Sequence, residues 1–260
     1  MENKILVAAP TFEGMKYCHD RFFNRILNLS YKNYDILIVD NSKTEEYFQE
    51  LKKIPNITAI HDKTTEEKSI FRLISSRNLI LEYGIKNNYS HILMLDSDVI
   101  PPIDVIEELL QSDKDIVSGI YSSFFNIAGK TKLMPVAWKY LTEEEFIEMK
   151  RNYDVNPGLK RFDLRRYLTE EEINSDKLHE VAMPSAGCML IKRQVFEKVR
   201  YGKENPKSFT GDDIHFIEKA KEFGFLPYCN TKVKCEHLIV EKYKKDKNGN
   251  FVHSSFSDLI

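Results

Sequence analysis

Short apolar runs bounded by polar residues recur through the first half of the chain: Ile5–Ala9, Ile36–Val39, the run ending at Leu95, and Ile116–Ile120. Each is four or five residues long and fits a buried strand. Between them the period changes. From Ile70 to Gly84 the residues Ile70, Leu73, Ile74, Ile80 and Leu81 recur at helical spacing, and Arg77 falls on the same stripe. Strands alternating with helices predict parallel pairing and a doubly wound sheet. The rhythm breaks after residue 120. Residues 141–177 are dense in charge and hold two similar starts, Leu141-Thr142-Glu143-Glu144-Glu145 and Leu168-Thr169-Glu170-Glu171-Glu172. Thr142 and Thr169 predict helix N-caps with acidic first turns, read as a duplicated cap rather than a true repeat. A lid, a small subdomain or a solvated spacer would each suit this region.

Regular structure is predicted again at Val181–Ile191, in an amphipathic run Arg193–Val199, and in a helix Asp212–Phe223 closed by Gly224. Leu226–Tyr228 and Val233–His237 are short enough for two strands. Lys247-Asn248-Gly249-Asn250 reads as a hairpin turn, or as part of a frayed terminus.

Composition narrows the class. With 260 residues the chain can bury one sizeable core. A net charge of -2 from 38 basic and 40 acidic residues excludes non-specific nucleic-acid binding as the main activity. Cys18, Cys188, Cys229 and Cys235 form no disulfide framework and no C-x-x-C pair, so reduced thiols in a cytoplasm are the expectation. No apolar stretch approaches 18 residues, so no transmembrane segment is expected and any membrane contact is peripheral.

Candidate chemistry starts where the third apolar run stops at Asp96-Ser97-Asp98. Open α/β sheets bind ligands at the carboxyl ends of their strands. Carboxylates two residues apart in an extended chain face one side, where they repel unless a cation intervenes. A divalent metal carrying a phosphate suits them; alternatively, Asp98 caps a helix starting near Pro101. Arg77, Gly211-Asp212-Asp213 opening a helix, and His237 ending a strand need explaining alongside.

Together these motifs resemble the GT-A glycosyltransferases of the family 2-like branch. Ile5–Thr11 and Ile36–Asn41 are similar to that family's first two strands, Ser76-Arg77-Asn78 to its Ala-Arg-Asn helix motif, and Asp96-Ser97-Asp98 to its DxD motif. Gly119-Ile120-Tyr121 and Pro135-Val136 resemble the donor-side segment, and Ser185–Arg193 the glycine-bearing strand. Gly211-Asp212-Asp213 resembles the Gly-Glu-Asp motif with Asp for Glu, and Lys234–Leu238 the late strand with a metal-binding histidine.

The resemblance implies a Rossmann-like, doubly wound mixed sheet with a small acceptor-side subdomain. Residues 1–240 would be one GT-A catalytic domain: a nucleotide-binding half over 1–120, and an acceptor-side half over 121–240 with a helical insert at 140–178. Residues 241–260 would form a tail or hairpin. It further implies that Asp98 and His237 hold Mn²⁺ (or Mg²⁺), with Asp96 approaching the metal and the donor sugar. Pro10, Thr11, Asp40, Arg77, Ser97 and Gly187 would contact the nucleotide sugar, with Asp40 on the base. Asp213 would be the general base and Asp212 would orient the acceptor. For Arg77 an ion pair with Asp40 or Asp96 is the competing role. Trp138, the one tryptophan, packs in the core or stacks on a sugar. The expected reaction moves a sugar from a UDP-sugar to a glycan, lipid-linked or protein hydroxyl, with inversion. A sugar nucleotidyltransferase and a non-catalytic sugar- or nucleotide-binding paralogue are the alternatives.

Overall fold

The computed structural model describes residues 3–203, 211–239, 243–245 and 251–253. Strands β1 (Ile5–Thr11), β2 (Tyr34–Asp40), β3 (Thr58–His61) and β4 (His91–Leu95) lie parallel in the order β3-β2-β1-β4. The apolar runs account for β1, β2 and β4. β3 gave no such signal, because Thr-Ala-Ile-His is short and sits half-buried towards one end of the sheet. A two-residue strand β5 (Val99–Ile100) follows the Asp-Ser-Asp step, and β6 (Ile116–Ile120) rejoins the main sheet.

Alternate residues of these runs serve opposite faces. Ile5, Val7 and Ala9 of β1 enter one apolar cluster and Leu6 and Ala8 enter the other. Both faces are therefore buried, as a continuous apolar strand requires. Helices α1 (His19–Ile26), α2 (Glu46–Leu51) and α4 (Val105–Gln111) cover the first face, α4 with Val105, Ile106 and Leu109. The long α3 (Ser69–Lys86) covers the second face with Ile80 and Leu81.

Beyond β6 come an antiparallel hairpin, β7 (Ser122–Ile127) and β8 (Lys130–Pro135), and a two-stranded ribbon of β9 (Trp138–Tyr140) and β10 (Arg165–Tyr167). The ribbon frames α5 (Glu143–Asn152) and α6 (Glu170–Ile173), whose caps Thr142 and Thr169 each close a capping box, with Glu145 and Glu172. The reading of a duplicated cap alone is too small. Tyr-Leu-Thr-Glu-Glu-Glu recurs at 140–145 and 167–172, each time as strand end, cap and helix start, and Lys139 pairs with its own equivalent Arg166 across the ribbon. A local pseudo-dyad passes through that pair. Its charges follow it only in part: Lys139 bonds Glu172 at 2.8 Å and Arg166 bonds Glu145 at 2.6 Å, but Arg166 also bonds Glu172 at 2.7 Å. Only the antiparallel register makes this relation visible.

Strand β11 (Leu178–Glu180) edges the main sheet, and β12 (Cys188–Lys192) enters it antiparallel, between β4 and β6. The parallel pairing predicted from alternation thus holds for β1–β4 and gives way to a mixed sheet beyond β4. The physical cause is the point of entry. Trp138 pairs with Met183, so the chain reaches β12 from the carboxyl edge with no crossover helix to carry it back. After α7 (Arg193–Phe196) and α8 (Asp212–Glu222), the two predicted strands become one long β13 (Pro227–Lys234) and a short β14 (Glu236–His237). Gly224 ends α8 with φ +83, as a left-handed cap requires. Strands β15 (Tyr243–Lys245) and β16 (Phe251–His253) pair antiparallel, while the expected turn Lys247–Asn250 lies outside the described residues.

Candidate active site

The carboxyl ends of β1–β4 and β6, the amino end of β12 and the carboxyl end of β13 all reach one edge of the sheet. Order reverses between β1 and β4, and a cleft opens there, as open α/β sheets dictate. Its cavity, about 170 Å³, is lined by Pro10, Thr11, Arg77, Asp96, Ser97 and Asp98 among others. The Asp-Ser-Asp step is not extended. The Val99 N–H donates to the Asp96 carbonyl at 2.9 Å, which closes a tight turn and gives the two carboxylates separate partners. Nor does Asp98 cap a helix, since α4 begins only at Val105.

Asp98 meets His237. β14 pairs with β5 so that His237 lies opposite Val99, and the Asp98 Oδ2 to His237 Nε2 distance is 3.4 Å. The His237 Nδ1–H donates to the Ser122 carbonyl at 3.1 Å, which turns Nε2 towards Asp98. Tyr17 donates to Asp98 Oδ2 at 3.3 Å, and the Tyr121 ring packs edge-on against the imidazole. Burial by itself lowers the His237 pKa, but the Asp98 carboxylate outweighs it and the net shift is upward. A carboxylate and an imidazole this close, the latter oriented by a backbone carbonyl, fit a shared divalent cation. Among the described residues no group of three or more His, Cys, Asp or Glu gathers for a metal. The chain offers this pair, and remaining positions would fall to phosphate and water.

Arg77 occupies the centre of the cleft floor. Its Nη2 bonds Asp96 Oδ1 at 2.7 Å and its Nη1 bonds Asp212 Oδ2 at 2.8 Å, while Nε is buried without a partner. Contact with the nucleotide sugar was one expectation and an ion pair the other; Arg77 lines the cavity and makes the ion pair, with Asp96 and a second carboxylate. The same contact corrects Asp212, which is 3 % exposed and committed to Arg77 rather than open to an acceptor. Asp213 differs. One carboxylate oxygen accepts the Ile214 N–H at 2.8 Å, and the other has no hydrogen-bond partner among the described residues. Burial pushes its pKa up, against the pull of Arg77.

Consecutive residues of α3 serve three directions. Arg77 reaches Asp96 and Asp212; Asn78 clamps the Tyr201 backbone with both amide atoms, at 2.9 Å each; Ser76 turns towards β3. There Ser76 Oγ donates to Asp62 Oδ2 at 2.9 Å and accepts from Asn41 Nδ2 at 3.1 Å. Asn41 therefore holds Ser76 with its nitrogen. Its side chain lines both the 170 Å³ cavity and an adjoining one of about 270 Å³. Asp40, expected on the base, is 0 % exposed, its carboxylate spent on the Ser42 N–H and hydroxyl and on His61 Nδ1. The residue presented at the end of β2 is Asn41, one position on. Asp62 and Tyr17 were missed altogether. Asp62 had a signal: like Asp40 and Asp96, it stands at the end of a strand.

Gly187 has no room for a side chain. A Cβ there would lie 2.7 Å from the Tyr121 hydroxyl and 2.9 Å from Asp96 Oδ2. Its N–H donates to that hydroxyl at 3.1 Å, and its carbonyl accepts the Asp96 N–H at 3.0 Å. Gly187 thus braces the Asp-Ser-Asp turn from behind. Trp138 is packed against the core, with Phe125 and Tyr167 as ring neighbours.

Comparison with known proteins agrees with the fold. A crystal structure of GalNAc-T7 with UDP, GalNAc and Mn²⁺ superposes with a TM-score of 0.58 at 14% identity, over 90% of this chain and 44% of that one. The chain thus spans under half the length of that relative, and the likeness shows the GT-A fold. A197 from STIV gives a TM-score of 0.46 at 14% identity, over 96% and 93% of the two chains. No curated protein matches by sequence. The family model described as glycosyl transferase family 2 matches residues 18–200. With the family model matching residues 18–200 of its 260 residues, the chain belongs to glycosyl transferase family 2.

Proposed function

We propose that the protein transfers a sugar from a nucleoside diphosphate donor, a UDP-sugar, to an acceptor hydroxyl with inversion, in a reaction that needs Mn²⁺ or Mg²⁺. The carrying observation is the convergence of Asp98 and His237, from distant parts of the chain, at 3.4 Å beside the cleft. A cation bound there would neutralise charge on the departing diphosphate, and GalNAc-T7 was crystallised with UDP and Mn²⁺. Pro10, Thr11, Ser97 and Asn41 line the route the nucleotide would take. Asp96, held by Arg77, faces the donor sugar and the metal. Asp213, whose raised pKa suits proton uptake, accepts the acceptor proton on the opposite side. Four free cysteines and a near-neutral charge suit a cytoplasmic enzyme; among the described residues no helix is long and apolar enough to cross a membrane.

Calorimetric titration with UDP in the presence and absence of Mn²⁺ tests the reading. Asp98→Ala should lose the metal-dependent part of binding and at least about 100-fold in turnover, given that a Lewis acid contributes several kcal/mol to charge stabilisation. Metal-stimulated turnover equal to wild type would refute it.

A further inference from the structure

Ser76 stands where the Ala-Arg-Asn motif that Ser76-Arg77-Asn78 resembles has alanine, and it is 0 % exposed on the inner side of α3. A buried hydroxyl needs partners. It has three: Asp62 Oδ2 at 2.9 Å, the Arg72 carbonyl at 3.0 Å and Asn41 Nδ2 at 3.1 Å. A carboxylate and a carbonyl only accept, so the single hydroxyl proton goes to one of those two and never to Asn41. Asn41 must therefore offer a donor to Ser76, which turns its amide nitrogen inward.

The amide oxygen then faces the other way. The Asn41 N–H donates to the Thr11 carbonyl at 2.9 Å, which pins the residue at the end of β2. Among the described residues Oδ1 has no hydrogen-bond partner, and it is not one of the buried polar atoms left unpaired, so it is open. The two cavities that Asn41 lines differ in character. The one of about 170 Å³ holds Arg77, Asp96 and Asp98; the one of about 270 Å³ is walled by Ile70, Leu73 and a Phe12 ring that is 45 % exposed. Phe12, Asn41 and Leu73 line both, so the cavities meet at Asn41. Charge belongs in the first, and a flat, weakly polar ring fits the second.

We infer that Ser76 sets the base choice of the donor, uracil over cytosine, by holding Asn41 with its amide oxygen towards the base; this rests on the nucleotide-sugar reading above. Uracil carries an N–H at ring nitrogen N3, whereas cytosine has a bare lone pair there. Against a locked acceptor, uracil gains a hydrogen bond and cytosine sets two acceptors face to face. A free asparagine could rotate its amide and offer Nδ2 to cytosine instead. The Ser76 hydroxyl removes that option. Being fully buried, Ser76 is a positioning residue that acts through Asn41.

Calorimetry with UDP and with CDP, each in the presence of Mn²⁺, tests this on the full chain and on Ser76→Ala. Wild type should bind UDP about tenfold or more tighter than CDP, as a lost and mismatched hydrogen bond predicts. In Ser76→Ala the preference should narrow to within about threefold, with CDP bound more tightly than by wild type. General damage to the cleft would weaken both nucleotides alike and leave their ratio unchanged. An unchanged ratio therefore overturns the inference. If Ser76→Ala does not fold, Ser76→Thr, which keeps the hydroxyl, should keep the preference and Asn41→Ala should lose it; the opposite result for either variant overturns the inference. Equal binding of UDP and CDP by wild type would overturn it and leave the nucleotide-sugar reading standing, whereas binding of neither would overturn both.

Discussion

Arg77 fastens three segments with one guanidinium, because its two terminal nitrogens reach carboxylates on either side of the cleft. Removing one partner of such a buried set strands the others, so the trio holds position more than it offers free charge. Asp213, not Asp212, remains able to take a proton. Burial raises its pKa above the usual carboxylate value, and only the ionised form is a base, so turnover should fall on the acid side at a pH above that of an exposed aspartate. Asp213→Asn should abolish that limb and cut kcat about 10²-fold or more while UDP affinity is kept; equal loss of both would make the residue structural. Gly187→Ala is a steric prediction. The new methyl would press on Tyr121 and Asp96, costing about 1–3 kcal/mol in stability by overpacking and displacing the Asp-Ser-Asp turn, measurable as a lower urea midpoint and reduced turnover. Sequence marked most of these positions by residue type. It misjudged Asp40 against Asn41, because a one-residue step decides which side chain enters the wall and which faces the cleft.

Elements were legible where periodicity was strong. α3 was read over 70–84 and runs Ser69–Lys86; α8 was read to Phe223 and ends at Glu222. The half-buried β3 and the β7–β10 ribbons were not, since short strands outside the core carry no continuous apolar run. β4 contains a titratable core residue whose effect is testable. Burial, aided by the Lys192 ammonium, lowers the His91 pKa from 6.5 to about 4. The unfolded chain then takes up a proton near pH 6.5 while the folded one resists until about pH 4, so stability is intact above the first value and declines between them. The full loss is about 3 kcal/mol. Urea unfolding at pH 7 and pH 4.5 should show this loss in wild type and a smaller one in His91→Gln; identical losses would exclude His91 as the cause.

At the scale of the molecule, the cleft draws on β1, β2, β4, β14 and two helices, so a ligand bound there stabilises the whole fold. UDP with Mn²⁺ at about 100 times its dissociation constant adds about 2.7 kcal/mol, roughly 5–10 °C in Tm for a chain of this size. Asp98→Ala should lose the metal-dependent part of that shift in a thermal scan; an undiminished shift would place the metal elsewhere. The chain by itself determined the strand and helix rhythm, both capping boxes and which residue types could carry the chemistry, because these depend on local spacing and side-chain character. Tertiary structure alone decided that β12 enters antiparallel and brings Gly187 behind Asp96, that Arg77 is spent on Asp96 and Asp212, and that Asp98 meets His237. Such pairings depend on strand order and register, which bring together residues that no local pattern connects.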